Sequence, residues 1–309
     1  FPLFDIFYPL EFGPTETYTL VLTNPETKDT VTTKVAAVSK THRTKKIIEK
    51  YPETGVAFSE GWQFKMIDGD IGYLSMKSFA VQNKDFNWKG FLTEAFNSLN
   101  NSNASSFIID IRDFEGGQLV VVEYVFKRVL QQPFHAPEMR SSVRYLEIPD
   151  SLEKHISTWS KFPYSFKGKF KEQKDGRYIL KSKYSAKAKT YQPHKDGFKG
   201  NVYVITNAQN SSATHQMATY ASMIEGVQLV GGETGGNSEG LNGGFMFFLR
   251  LPNSKVEVDI PVIHMEIPLE QDTHEGRGVI PDIPISRNPS DFLMHKDAVL
   301  EELLTRIRS

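Results

Sequence analysis

The sequence predicts an α/β fold, in which the strands of a central sheet alternate along the chain with helices. Two segments support this most directly, because each is a continuous apolar strand followed by a polar turn and an amphipathic helix. The first has its strand at residues 107–111 and its helix at 119–130, and the second has them at 202–205 and 212–224. Strands that are apolar throughout are typical of a parallel sheet covered on both faces.

The remaining elements of this core follow from hydrophobic periodicity. Residues 62–74 alternate polar and apolar around an Asp-Gly pair, which predicts a hairpin. Residues 85–100 place their large apolar side chains on one helical face, and residues 227–230 form another apolar strand. A C-terminal helix is expected from about residue 291 to residue 308, with an apolar stripe along one side.

The 309-residue chain has the composition of an ordinary globular protein, with a formal net charge of −1 and no cysteine. A near-neutral chain has no bulk attraction for nucleic acid, so we expect no nucleic-acid partner. The absence of cysteine excludes disulfides, zinc–thiolate sites and a cysteine nucleophile. No apolar run approaches the roughly 18 residues of a membrane helix, and no metal-ligand or phosphate-binding motif occurs. We therefore expect no integral membrane segment, no cofactor and no metal.

A serine nucleophile is the chemistry that residues 207–214 suggest. A buried strand ends at Thr206, a short polar loop follows, and a helix begins near Ser212. A serine there is exposed at the carboxyl end of a strand, where α/β folds bind their ligands. The N–H of Ala213, at the positive end of the helix, would stabilise a developing oxyanion. The alternative is that Ser211 or Ser212 only caps the helix.

Residues 110–117 form a second strand-to-helix turn of the same kind. Gly116 and Gly117 let backbone N–H groups approach a ligand closely, which suits an oxyanion hole. The alternative is a turn that needs positive φ, with Asp110 and Arg112 as a structural ion pair.

Five motifs occur in a fixed order along the chain. The central one is Ser212-Ala213-Thr214, and the others are an entry strand, an Asp-Ile-Arg segment with paired glycines, a glycine loop and a Gly-Val-Ile-Pro-Asp segment, at residues 73–79, 109–117, 230–236 and 275–282. Together they resemble the C-terminal-processing (tail-specific) protease family of serine peptidases, over residues 62 to about 308. The resemblance implies an endopeptidase that forms an acyl-enzyme on Ser212.

The resemblance is to the tricorn-like branch of the family rather than to the branch with a Ser–Lys dyad, and the general base differs between the two. The tail-specific branch uses a lysine just after the glycine loop, but Asn237 stands there and no lysine is close by. The tricorn-like branch uses a histidine, a second serine and a glutamate. Glu275 fits the glutamate that orients the base, with Glu270 as second choice, and the histidine is expected before residue 1. His215, three residues after the nucleophile, is a local alternative base.

The resemblance also implies a crotonase/ClpP-like core of stacked ββα units, usually preceded by a PDZ-like domain. Residues 1–55 are β-rich and would be the tail of a PDZ-like domain, and residues 56–309 would be the peptidase core. The expected partner is a protein or peptide substrate, and a homo-oligomer is compatible with the sequence. Relatives are commonly exported, which predicts a periplasmic, cell-envelope or secreted location. Two alternatives stay open: a catalytically inactive peptide- or ligand-binding protein on the same fold, and a scaffold that docks partners through a PDZ-like groove.

Residues 161–200 form an insert that differs in composition from the rest of the chain. The insert carries twelve Lys and Arg against three Asp and Glu, with eight aromatic residues interspersed. We favour a solvated β-hairpin over the active-site face. A substrate-binding flap for acidic peptides or a free carboxyl terminus is the second interpretation. A nucleic-acid surface is the third, because basic and aromatic residues suit it but the whole chain is not basic.

Overall fold

The computed structural model describes most of the chain, namely residues 4–24, 26–50, 61–79, 81, 86–113, 116–184, 189–237, 239–266, 276–288, 290–291, 294 and 296–309. The chain separates into two compact units. One is Trp62–Ser286, and the other combines Phe1–Gly61 with Arg287–Ser309.

Helices and strands are numbered in chain order over the described residues. The helices are α1 (Phe4–Phe12), α2 (Lys40–Lys50), α3 (Trp88–Asn101), α4 (Leu119–Val129), α5 (Asp150–Glu153), α6 (Ser212–Ala221) and α7 (Ala298–Arg308). The strands are β1 (Thr17–Thr23), β2 (Thr30–Ala36), β3 (Trp62–Ile67), β4 (Ile71–Met76), β5 (Ser106–Asp110), β6 (Phe134–His135), β7 (Arg140–Val143), β8 (Ile156–Ser157), β9 (Phe170–Glu172), β10 (Tyr178–Leu180), β11 (Thr190–Tyr191), β12 (Asn201–Thr206), β13 (Val227–Gly231), β14 (Leu241–Arg250), β15 (Glu257–Glu266) and β16 (Ile283–Pro284).

The larger unit is built on a six-stranded sheet in the order β16-β13-β12-β5-β4-β3. Neighbours from β4 to β16 are parallel, and only β3 runs antiparallel at the edge. Every residue of β5 is buried, as its apolar sequence predicted. The register pairs Asp110 with Ile205 and Thr206 with Gly231, so the carboxyl ends of β5, β12 and β13 lie side by side. The two predicted strand-to-helix turns therefore meet at one edge of the sheet.

Apolar side chains of α3, α4 and α6 join those of the parallel strands in one core cluster. The helical positions follow the 3.6-residue period, so each helix buries one stripe, for example Leu92, Phe96 and Leu99 on α3. Burying one such side chain contributes roughly 1.5–3 kcal/mol. This core holds the turns at the strand ends in place, and the predicted α/β class is confirmed.

A second sheet in the same unit has the order β8-β14-β15-β7-β10-β9 and is antiparallel throughout. The insert supplies β9 and β10, which form the expected hairpin. The expectation that the insert is simply solvated is wrong, because Phe166 and Phe170 are buried with Val143 in a separate core cluster. Apolar area outweighs the basic composition here, since the lysines between the aromatic residues keep their charged ends in water.

The smaller unit contains the β1–β2 hairpin, whose two strands are the ones expected within residues 1–55. Sequence analysis described this region as β-rich and missed both of its helices, α1 and α2. The α2 helix contains a run of basic residues at 42–46 and has no buried residue. The C-terminal helix begins later than expected, at Ala298, where Asp297 caps it by accepting a hydrogen bond from the N–H of Leu300. The domain boundary near residue 55 falls at residues 51–60, outside the described residues.

Candidate active site

Ser212 is the first residue of α6, six residues after the end of β12. Its φ is +50°, a left-handed value that a residue other than glycine rarely adopts. The side chain is exposed, whereas all the following residues of α6 are buried. Ser211 occupies the N-cap position, but its side chain makes no capping hydrogen bond. Ser211 is therefore the N-cap residue by position, as the alternative expected, but its side chain does not cap the helix, and Ser212 is the first helical residue.

Gly116 lies against the first turn of α6. A Cβ atom added to Gly116 would lie 2.7 Å from the backbone nitrogen of Ala213 and 3.2 Å from the carbonyl oxygen of Ser211. Only glycine allows this approach, and its φ of +146° also favours glycine. The N–H of Ala213 belongs to the first helical turn, where backbone N–H groups lack intrahelical partners. The two predicted oxyanion segments are thus in direct contact.

Gly117 is held by a parallel bridge to Phe79. Phe79 donates its N–H to the carbonyl of Gly116 at 3.1 Å, and Gln118 donates to the carbonyl of Phe79 at 2.9 Å. In a parallel bridge of this kind the N–H of Gly117 points away from Phe79. It can therefore donate a hydrogen bond to a group on the opposite side, such as a substrate oxyanion. Its φ of +143° again favours glycine.

Asn210 is fully buried and joins three segments of the site. Its Nδ2 donates to the carbonyl of Ile111 at 2.5 Å, and its Oδ1 accepts from the N–H of Asn207 at 2.7 Å. Its own carbonyl accepts from Gly235 and Gly236 at 2.9 and 3.1 Å. A single residue therefore ties the Ser212 loop to the end of β5 through its side chain and to the glycine loop through its backbone carbonyl.

Asp110 and Arg112 form the structural ion pair that sequence analysis gave as one alternative. The closest contact, from the Arg112 Nη2 to the Asp110 Oδ2, is 2.6 Å, and both side chains are nearly buried. Tyr73 donates its hydroxyl to the same carboxylate at 2.7 Å. The pair anchors the turn that leads to the paired glycines, so the glycine and ion-pair interpretations apply together.

His215 faces the glycine loop. Its Nδ1 lies 2.8 Å from the hydroxyl of Thr234, and its Nε2 lies 3.1 Å from the carbonyl oxygen of Asn237. A carbonyl only accepts hydrogen bonds, so Nε2 carries the proton and Nδ1 accepts from Thr234. Burial lowers the pKa of His215 below 6.5, and the bond to Asn237 partly opposes this. A Cβ on Gly236 would lie 2.3 Å from the ring, so the loop covers the imidazole closely.

Glu233 connects the glycine loop to the segment after Glu275. Its carboxylate accepts two-pronged hydrogen bonds from Arg277, the shortest being 2.5 Å, and it also accepts from the N–H of Gly278 at 2.8 Å. The proposed base-orienting Glu275 and the second choice, Glu270, lie outside the described residues. Their assignment stays a prediction that the geometry of Gly278 and Arg277 does not test.

Sequence analysis missed Asn210 and Thr234 as parts of the site. Asn210 stands between the strand end and the helix, where a polar loop residue carries no periodicity signal. Thr234 occupies the threonine of the glycine-loop motif, and besides contacting His215 it accepts from the N–H of Val279 at 2.9 Å. The signal for Thr234 was present in the motif, whereas the role of Asn210 depends on contacts between distant parts of the chain.

No group of three or more His, Cys, Asp or Glu residues is arranged to hold a metal ion within the described ranges. None of the helices that the structure describes combines the length and the hydrophobicity needed to cross a membrane.

Comparisons with known proteins identify the family of the chain. The sequence model of peptidase family S41 matches residues 70–285. A candidate peptidase from Parabacteroides merdae has a similar structure, with 17% identity, a TM-score of 0.52 and coverage of 86% of this chain and 70% of that chain. Mature CPAF complexed with lactacystin is similar with 15% identity, a TM-score of 0.54 and coverage of 95% and 67%. No curated protein sequence matches the chain.

The structural neighbours support the fold alone, whereas the match to the family model identifies the peptidase family. The matched span covers well over half of the chain and contains Ser212, the paired glycines, the glycine loop and the Pro-Asp ending. The resemblance inferred from the five motifs is confirmed. The chain belongs to peptidase family S41, the family of C-terminal-processing serine proteases.

Proposed function

We propose that this S41 peptidase cleaves its protein substrate through an acyl-enzyme on Ser212. Family membership makes the chain a serine-type peptidase. The observation that carries the residue assignment is the exposed, left-handed Ser212 beside Gly116 and the N–H of Ala213. Backbone strain of this kind persists where the surroundings enforce it, and it concentrates at functional sites.

The proposed reaction has two halves. The Ser212 hydroxyl oxygen attacks the scissile carbonyl carbon while its proton passes to a general base, and the negative charge that develops is stabilised by the N–H groups of Ala213 and of Gly116 or Gly117. The base then returns the proton to the leaving amine as the C–N bond breaks. Water next attacks the acyl-enzyme, releases the new carboxyl terminus and restores the serine.

The general base in this proposal is not His215. Both ring nitrogens of His215 already have partners, Thr234 and the Asn237 carbonyl, and its lowered pKa makes it a poor proton acceptor. We assign His215 to holding the glycine loop against α6. The base is then the histidine that the family resemblance implies upstream, oriented by Glu275.

Labelling with a fluorophosphonate probe tests the assignment, using the full-length protein and mass spectrometry to find the modified residue. We expect the label on Ser212, and we expect Ser212→Ala to lose the label and to lower peptide cleavage by roughly 10⁴-fold or more. Ser211→Ala is the matched control, because that neighbouring hydroxyl makes no capping bond.

Retained cleavage in Ser212→Ala would overturn the assignment. A full-length protein that takes no label and cleaves no peptide would instead favour an inactive binding protein on the same fold. Export to the periplasm, cell envelope or medium and assembly into a homo-oligomer stay predictions, which cell fractionation and sedimentation of the purified protein would test.

A further inference from the structure

A small cavity lies between α4 and α6, the helices that follow the two candidate oxyanion segments. Its volume is about 250 Å³, and Leu119 and Gln216 are among the residues that line it. Leu119 is two residues after Gly117, and Gln216 is one helical turn after Ser212 on the same face of α6. One turn corresponds to roughly 5–6 Å along the helix axis. The cavity is therefore bounded by residues that follow the two candidate oxyanion segments closely along the chain, Leu119 after Gly117 and Gln216 after Ser212.

The size of the cavity suits one large side chain. Pockets for whole small-molecule ligands begin at roughly 300 Å³, so this cavity is below that range. An apolar cavity of roughly 150 Å³ holds a benzene molecule, so an aromatic ring with a substituent fits here. An alanine side chain would leave most of the space empty.

The walls of the cavity are mostly apolar. Val122, Phe126 and Ala136 are buried and line it, and Leu119 lies half-exposed at the rim. The one carboxylate in the lining, that of Glu123, is already paired with Lys189 at 2.7 Å. The lining therefore offers no unpaired charge to a charged side chain, and burying one here would be costly.

Gln216 is one of the polar residues that line the cavity, together with Tyr191, Tyr220 and the Glu123–Lys189 pair. The residue is more than nine-tenths buried, and its Nε2 donates to the Tyr220 hydroxyl at 2.9 Å and approaches the Met139 sulfur at 3.4 Å. Within the described part of the chain its Oε1 has no hydrogen-bond partner. An unpaired carbonyl oxygen in an apolar cavity accepts a hydrogen bond from a ligand that brings a donor.

We propose that this cavity binds the side chain of the substrate residue whose carbonyl is attacked, and that it selects a large aromatic residue with a hydrogen-bond donor, tyrosine above phenylalanine. The proposal rests on the proposed function, because it takes Ser212 as the nucleophile. The aromatic body packs on Val122 and Phe126, and the donor reaches Gln216. The cavity thus determines where a substrate is cut.

A series of fluorogenic peptides that differ only at this residue tests the proposal on the full-length protein. We expect kcat/KM to fall from tyrosine to phenylalanine by roughly three- to tenfold, the value of one neutral hydrogen bond. From phenylalanine to alanine we expect a further fall of at least tenfold, because the apolar contacts are lost.

Two variants separate the cavity from a general loss of structure. Ala136→Leu fills the cavity and is expected to lower the ratio of tyrosine to alanine cleavage at least tenfold. Gln216→Leu keeps the volume and removes the acceptor, so tyrosine and phenylalanine should become equal. Ala37→Leu, at a half-exposed position outside the cavity, is the matched control and should keep the wild-type ratios.

The outcomes distinguish this proposal from the function on which it rests. Fluorophosphonate labelling of Ser212 does not depend on the substrate side chain. A labelled protein that cleaves alanine peptides as well as tyrosine peptides, or an Ala136→Leu variant with unchanged ratios, would overturn the cavity assignment alone. Loss of labelling in the wild-type protein would defeat the proposed function, and the cavity assignment would fall with it.

Discussion

Two backbone conformations at single residues define the site. Ser212 adopts φ +50° and Gly116 adopts φ +146°, and the two residues meet through Ala213 and Ser211 at the start of α6. Holding a serine in the left-handed region costs of order 1–3 kcal/mol, which the buried remainder of α6 offsets. The arrangement exposes the hydroxyl and brings two sets of backbone N–H groups next to it.

Replacing Gly116 by alanine should damage catalysis more than any other small substitution at this turn. The new methyl group would lie 2.7 Å from the Ala213 nitrogen, and the positive φ of Gly116 is unfavourable for alanine. We expect kcat to fall by roughly 10²–10³-fold, the cost of losing an oxyanion donor, with stability also reduced. Gly243→Ala is the control, because a Cβ there meets nothing within 4 Å. Equal kcat in the two variants would contradict an oxyanion role for Gly116.

His215 should make the stability of the fold depend on pH. Burial lowers its pKa in the folded state, so the unfolded chain binds the proton first as pH falls. The neutral ring contributes fully to the free energy of unfolding above pH 6.5. This contribution is lost as the pH falls from 6.5 towards the pKa of His215 in the folded state. The slope for one proton is at most about 1.4 kcal/mol per pH unit.

Urea unfolding between pH 8 and pH 5 measures this slope. We expect His215→Gln to flatten the decline of the unfolding free energy below pH 6.5. Thr219→Ser keeps the hydroxyl that bonds to the His215 carbonyl, so it should retain the wild-type slope. An unchanged slope in His215→Gln would mean that another group controls the acid sensitivity.

At the scale of the elements, the site is assembled from the ends of adjacent strands. β5 and β12 are parallel neighbours, so the turn that carries Gly116 and the turn that carries Ser212 project from the same edge. Parallel strands need long connections, and here helices supply them. The antiparallel second sheet is a separate element that buries the aromatic residues of the insert.

The Asn210 side chain joins the Ser212 loop to the end of β5, and its loss should loosen that connection. Asn210→Ala leaves the carbonyl of Ile111 and the N–H of Asn207 without this partner, and we expect about 1–3 kcal/mol of lost stability. Cleavage should also fall, since the nucleophile loop loses its fixed position. Gln209→Ala, on the exposed neighbour, should change thermal unfolding little. Full activity in Asn210→Ala would show that the loop is positioned without it.

At the scale of the whole molecule, the family motifs are distant in sequence and close in space. Glu233 of the glycine loop bonds with Arg277 and with the N–H of Gly278, 44 and 45 residues later. The Pro-Asp ending contributes Asp282, which accepts from the N–H of Leu229 at 2.7 Å. These long-range bonds tie the segment after Glu275 to the sheet.

Replacing Glu233 should lower stability and kcat/KM more than replacing its ion-pair partner Arg277. The pair is partly exposed, so Arg277→Ala should cost at most about 1 kcal/mol. Glu233→Ala also deprives the N–H of Gly278 of its acceptor, so we expect a larger loss of stability and a lower kcat/KM. Unfolding and peptide cleavage measured on both single variants and the double variant provide the test. Equal effects of the two single variants would mean that the bond to Gly278 is unimportant.

The sequence by itself determined the main strands and helices of the α/β core, and it indicated Ser212 as the candidate nucleophile. Continuous apolar runs and 3.6-residue periodicity are local properties, so β5, β12, α4 and α6 were expected close to their observed bounds. The strand-to-helix turn at Ser212 and the paired glycines were also visible, because each is a motif within a few residues. The five motifs in order then indicated the peptidase family.

Only the tertiary structure decided the contacts within the site. Asn210 reaches Ile111 across 99 residues, and His215 is held by Thr234 and Asn237 across about 20. Hydrogen bonds between distant residues leave no periodic trace in a sequence, so a polar loop residue looks the same whether buried or solvated. The insert shows the same limit, since its charge suggested solvation while packing buried Phe166 and Phe170. Burial is a property of the folded assembly of elements, and no single segment encodes it.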